Sequence, residues 1–193
     1  VENSSILPWL VGTALLHGLL AQRNRGNFKQ ANLFLGVIAG FSVLLGSFLV
    51  RSGVLEKISV HAFATPEKSV FYTLLGVMTI WLVVGLALWI WRFKDIQSEI
   101  AYESVWERHF GFFLGMIVLS ATAVVIIAGV FFIPVILPMV MKNKISIPYT
   151  FYNQALIPVM FVTVVLMALT PLMPWRKARE DAKPLRVLDK VVL

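Results

Sequence analysis

An all-α, polytopic integral membrane protein with about five transmembrane helices is the fold class this sequence predicts, and three observations carry that expectation. Hydrophobic residues fill 59% of the 193 positions and charged residues only 14%, far from the usage of a soluble domain. The mean hydropathy is +0.83. The apolar residues are also gathered into five blocks that approach the ~20 residues a helix needs to cross ~30 Å of hydrocarbon.

The blocks are Ile6–Ala21, Ala31–Val50, Val70–Trp91, Phe110–Pro138 and Ala155–Met173. The first is the shortest, and its Pro8 falls in the opening turn, where the missing N–H has no helical partner to lose. In the fourth, Pro134 and Pro138 are expected to end or kink the helix and leave its last turns irregular at the membrane surface. Together the blocks define a helical core over 1–176, with a loop at 51–69, and 177–193 reads as a basic linker or tail. The opening VENSSILPW lacks a basic n-region before its apolar run, so it does not read as a signal peptide, and the chain is expected to be an internal piece of something longer. It contains no internal repeat of useful length.

Charge orients the spans, because cytoplasmic loops are enriched in Lys and Arg. Twelve of the 17 such residues fall on the side shared by the 22–30 loop, the 92–108 loop and the carboxyl tail. The tail is therefore expected in the cytoplasm, and the 51–69 and 141–154 loops outside. Trp89, Trp91 and Trp175, each close to an arginine, fit anchoring at the inner surface. The net charge of +7 follows from this bias and needs no nucleic acid to explain it. Asp95, Glu99, Glu103 and Glu107 recur every four residues, the spacing of one face of an amphipathic surface helix. That face reads as solvated, with a docking surface for a partner as the alternative.

With no cysteine in the sequence, these residues supply neither a disulfide nor a thiolate, and candidate chemistry rests on three histidines. His17 lies ~16 Å along the first apolar block from Ile6, and an ionisable side chain there is a functional-site hypothesis by default. A neutral imidazole bonded to a neighbouring helix, a metal ligand and a titrating group in a transporter are the readings open to it. Zinc would need further His, Cys or carboxylate ligands, and none is near in sequence. Haem needs only one or two axial ligands from the protein. His61 sits in VRSGVLEKISVHAFA, next to an apolar run that a fully exposed loop has little reason to carry. Surface exposure is its plain reading, and contact with an apolar disc is the other. Arg51 suits either a snorkelling anchor or a partner for a carboxylate such as a haem propionate. His109 reads as an interfacial residue with no assigned role.

The chain resembles the CcmF family of cytochrome c maturation, with its NrfE-like relatives. VENSSILPWLVGTALLHG is similar to the stretch after that family's tryptophan-rich motif, and GSFLVRSGVLEKISVHAFA to its next signature. YNQALIPVMFVTVVLMALTPLMPWRK is similar to the segment that closes with Pro-Trp-Arg. The resemblance runs from Val1 to about Arg176. It implies a haem lyase of the bacterial inner membrane, in which His17 is an axial ligand of a resident haem b and His61 an axial ligand of the haem being delivered. Arg51 is then a candidate propionate contact. Partners implied are a haem carrier (CcmE-like), an apocytochrome c whose CxxCH cysteines receive the haem, and thiol-reducing chaperones (CcmH/CcmG-like).

The tryptophan-rich motif and a later histidine opposing His17 would lie outside these residues. Where the family pattern has Ser-Arg-Glu, the chain has Glu107, Arg108 and His109, and where it has paired asparagines, Gly115 and Met116. The rival expectations are a haem-handling or transporter-like membrane protein without ligase activity, with Pro134 and Pro138 breaking a helix beside a substrate path, and a scaffold subunit.

Overall fold

The structure is a computed structural model and describes residues 2–54, 67–98, 105–138 and 148–174. Every long element among them is a helix: α1 (Glu2–Arg25), α2 (Lys29–Arg51), α3 (Lys68–Trp91), α4 (Arg108–Ile127) and α5 (Tyr149–Leu169). Five segments are long and apolar enough to cross a membrane: Ser5–Arg23, Lys29–Arg51, Lys68–Trp91, Arg108–Ile136 and Thr150–Leu172. The helices overrun the apolar blocks at their ends. Hydropathy marks where lipid contact stops, whereas the i to i−4 bonds of a helix continue into polar residues such as Gln22 to Arg25.

The expected break at Pro134 takes a different form. α4 runs on as a π-helix over Ala128–Ile136 and then as α-helix at 137–138, the last described residues of the segment. Proline has no N–H to give and its ring crowds the carbonyl one turn back, and the wider π turn absorbs both without ending the helix. The amphipathic helix expected from the acid spacing is not seen in the described part of that loop. Residues 92–95 are turns and 96–98 have no regular structure, with Glu99 and Glu103 outside the described residues. Gln30 Nε2 donates to Phe93 O (2.8 Å) and the Lys29 N–H to Ser98 Oγ (3.0 Å), which ties this segment to the start of α2.

The helices pack in a row, α3 against α2, α2 against α1, α1 against α4, and α4 against α5. Lipid offers apolar side chains nothing worse than each other, so close helix contact in a membrane depends on small residues and a few hydrogen bonds. Glycines mark each contact. A methyl group at Gly18 would overlap the Asn32 side chain of α2, one at Gly40 would overlap the Trp81 ring of α3, and one at Gly129 would overlap the Tyr152 hydroxyl of α5. At Gly85 it would come within 2.6 Å of Val37. Trp81 Nε1 donates to Val37 O (3.0 Å) and Trp89 Nε1 to Gln30 O (2.9 Å), so α3 is pinned to the backbone of α2 at two levels.

The turn from α1 to α2 uses Gly26 (φ 72°) and Phe28 (φ 61°), the second a left-handed conformation that costs a side-chain-bearing residue. Phe28 stacks on Phe113 of α4, with ring centroids 5.6 Å apart and planes 5° from parallel, and that contact offsets the strain. The core proper, with Leu7, Leu10, Ala14, Leu45, Leu49 and Met116 in it, lies along α1.

Gly18→Ala should force Asn32 away from Gln22 Oε1, to which its Nδ2 now donates at 2.7 Å. The expected loss is about 1–3 kcal/mol, measured by far-ultraviolet circular dichroism during unfolding in mixed micelles. Trp81→Phe should cost about 1 kcal/mol, the value of one hydrogen bond.

Candidate functional site

The central helix of the row carries the candidate site. His17 Nδ1 lies 2.7 Å from the Thr13 carbonyl oxygen one turn back. A carbonyl only accepts, so Nδ1 carries the hydrogen and Nε2 presents its lone pair. This is the arrangement in which an imidazole serves as a metal ligand, its other nitrogen fixing tautomer and ring plane. Phe112 of α4 meets the ring edge-on, with centroids 5.5 Å apart and planes at 69°.

The imidazole opens onto a groove of about 470 Å³ bounded by α1, α4 and α5. Its walls are Trp9 and Thr13 from α1, Gly111, Phe112, Gly115, Val118 and Leu119 from α4, and Thr163, Leu166 and Met167 from α5. Thr170, Pro171 and Arg108 close the end where α4 begins. The volume lies in the range of pockets that hold a cofactor or drug-sized ligand, and the lining is mostly apolar with a few polar groups. Gly115 shapes the site directly. A Cβ there would sit 3.6 Å from His17 Cδ2 and 4.0 Å from Nε2, so the ring faces a stretch of α4 with no side chain to block it. The two threonine hydroxyls nearest the middle of α4 and α5 turn inward on their own helices: Thr122 Oγ1 donates to Val118 O and Thr163 Oγ1 to Val159 O, each at 2.8 Å.

Other expected site residues stand elsewhere. Arg51 is exposed in the last turn of α2, followed by a Ser52 N–H that caps onto Phe48 O and by Gly53 at φ 74°. A cation there also complements the carbonyl end of the helix. Arg51 does not line the groove. His61 lies outside the described residues. No group of three or more His, Cys, Asp or Glu side chains that could hold a metal ion occurs among the described residues.

His109 corrects the reading as an interfacial residue, for only 1% of its surface is exposed. Glu107 is fully buried, not on a solvated face. Both flank the first turn of α4 at the end of the row where Phe28 crosses to Phe113, and Asn27 of that turn is buried with them. The sequence pattern carried no signal for this, because the segments that meet the start of α4, around Phe28 and Pro174, are 65 or more residues away in the chain.

No protein-family model matches the chain. It is 37% identical over 179 residues to the cytochrome c-type biogenesis protein CcmF of Pseudomonas aeruginosa, covering 91% of this chain and 26% of that protein. With the CcmF of Escherichia coli it shares 36% identity over 184 residues, covering 93% and 27%. With the probable cytochrome c-type biogenesis protein NrfE of the same organism it shares 32% over 169 residues, covering 86% and 30%. A solved structure of a cytochrome c heme lyase CcmF superposes with a TM-score of 0.62 at 27% identity, over 96% of this chain and 25% of that one. The chain thus spans about a quarter of the length of the curated relatives it matches.

Because His17 lines an apolar groove of about 470 Å³, a zinc porphyrin, which accepts one axial nitrogen, should bind the purified chain with a red-shifted Soret band. Gly115→Leu should weaken that binding about tenfold by filling the space. Gly115→Ala should leave it nearly unchanged, since its Cβ stays at ordinary contact distance.

Proposed function

The chain belongs to the CcmF family of cytochrome c-type biogenesis proteins, and from that premise we propose that it is the part of a cytochrome c haem lyase that holds one ligand for each of two haems. The whole protein is a multi-pass protein of the bacterial inner membrane. It takes haem from a CcmE-like carrier and joins it to the CxxCH cysteines of apocytochrome c, presented with CcmH/CcmG-like thiol-reducing chaperones. The loop holding His61 faces outward on this reading, supported by the distribution of Lys and Arg.

The observation that carries the proposal is the pairing of His17 with an apolar groove of cofactor size, at a position where the imidazole is already oriented by Thr13. The residues present fit a resident haem b. His17 would hold it through Nε2. The Thr13 carbonyl keeps the hydrogen on Nδ1 and makes the ring a better donor through Nε2. Phe112, Val118, Leu119, Leu166 and Met167 keep water from the ring's outer nitrogen. Gly115 leaves the approach open. When bound there, haem b supplies an iron centre able to carry one electron.

His61 is the ligand for the haem that is the enzyme's substrate, and Arg51, exposed at the end of α2 on the approach to residues 55–66, suits the propionates of that haem. Thioether formation needs no thiol from this chain, which has no cysteine, because both thiols come from the apocytochrome.

An absorption spectrum of the purified full-length protein tests the reading. His17→Ala should remove the reduced b-type signal, and an unchanged spectrum would take His17 off the ligand list. His61→Ala should keep that signal while haem co-purifying with the carrier falls at least tenfold and cytochrome c maturation stops. Normal maturation in that variant would end the proposed role of His61.

A further inference from the structure

The direction of an imidazole on a membrane helix depends on how that helix is rolled about its own axis, and apolar contacts do little to set the roll of α1. Leu7 and Leu10 are buried while Leu16, Leu19 and Leu20 are exposed, so leucine stands on both faces. In lipid neither face is preferred on that account, and the setting has to come from close packing and polar contacts.

Asn32, near the start of α2 and only 4% exposed, supplies both. Its Nδ2 donates to Gln22 Oε1 of α1 (2.7 Å). Its Oδ1 is buried and accepts no hydrogen bond from an N–H or O–H among the described residues. That oxygen lies where a Cβ of Gly18 would be, so the hydrogen that glycine carries in this direction points at it. A Cα–H to oxygen contact of this kind recurs where helices meet. Met116 Cε of α4 lies 2.9 Å from the same point, so three helices converge there.

Gly18 and Gln22 are four residues apart and share one face of α1. His17 precedes Gly18, about 100° round the helix, on the face with Thr13 and Trp9 that borders the groove. One amide thus grips α1 at two successive levels beside the imidazole. Since Thr13, on the same helix, holds the ring plane, the ring turns with α1 as a unit.

We propose that Asn32 is a positioning residue for His17: gripping Gly18 and Gln22, it fixes the roll of α1 at which the imidazole meets the groove. This rests on the haem reading above. The competing role is a staple that merely joins α1 to α2 across their turn. Loss of a staple would loosen the groove for any flat apolar guest, with or without a metal.

Ferric haem and metal-free protoporphyrin, titrated into the full-length apoprotein in detergent, separate the two roles, because only the first takes an axial nitrogen. Asn32→Leu should weaken ferric haem about tenfold and leave protoporphyrin within twofold of wild type. Gln22→Met, which removes the acceptor and leaves α2 intact, should weaken ferric haem at least threefold in the same selective way. Equal losses of the two guests, or no loss of haem in either variant, would overturn the proposal. A haem-free measurement checks the roll itself. Positions 17 and 115 adjoin, a Cβ at Gly115 lying 3.6 Å from His17 Cδ2. In full-length protein otherwise free of cysteine, the pair His17→Cys and Gly115→Cys should form a disulfide under copper phenanthroline, and adding Asn32→Leu should slow it at least fivefold. An unchanged rate would overturn the proposal. Slowed cross-linking together with full haem binding by His17→Ala would keep the grip on α1 and reject the haem reading. Loss of haem by His17→Ala with cross-linking and haem affinity both untouched by Asn32→Leu would keep the haem reading and reject the role of Asn32.

Discussion

Close approach of helix backbones at glycine is the constraint on which the rest of this structure depends. Gly18 admits Asn32 of α2 and Met116 of α4, Gly40 admits Trp81 of α3, and Gly129 admits Tyr152 of α5, so a glycine marks each of the four contacts that order the row. In a membrane the apolar surfaces of helices gain little by leaving lipid, and association rests on packing density and on polar groups that find partners. The indole donors of Trp81 and Trp89, bonded to carbonyls of α2, are such groups. Because α1 is held between α2 and α4, one of its faces is committed to the core and the other is left along the groove. His17 lies on the groove side, with Thr13 and Trp9 one and two turns before it.

The same geometry explains why a single imidazole can be poised inside an apolar helix. Its first nitrogen needs no neighbour from another helix, since the Thr13 carbonyl one turn away accepts from it. The ring edge then lies at ordinary contact distance from Gly115, where α4 carries no side chain, and the ring borders the groove. Were the first nitrogen to look for a partner across the interface, the groove would fill with that partner. Self-contained orientation on one side and open space on the other are what a ligand site requires. At the two ends of the row, α3 and α5 present large apolar side chains outward, among them Ile80, Trp91, Met160 and Phe161. Such faces suit lipid and the remaining three-quarters of the relatives' length alike.

Five spans could be read from the sequence because membrane crossing depends on composition over about 20 residues, which is a local property. The positions of His17 and Arg51 at the middle and end of such spans were equally legible. The order of the helices in the row was not, since one apolar helix looks much like another until its glycines are matched to the bulky residues they admit. Pro134 announced a perturbation but not its form, because a π turn and a break begin from the same missing hydrogen bond. Phe112, Gly115 and Arg108 are more than 90 residues from His17, so no spacing rule could join them to it. Glu107 and His109 misled for the opposite reason. Their local pattern is that of a charged loop and an interfacial residue, and their burial arises where the α1–α2 turn and the segment after α5 both meet the start of α4.

The central claim is that an iron porphyrin sits in the groove of α1, α4 and α5 with His17 as a ligand. An anomalous scattering map at the iron edge, from crystals of the full-length protein purified with its haem, tests it most directly. The account predicts an iron peak within bonding distance of His17 Nε2 and planar density extending between Phe112 and Met167. An iron peak bound to other residues, with lipid or detergent density in this groove, would contradict it.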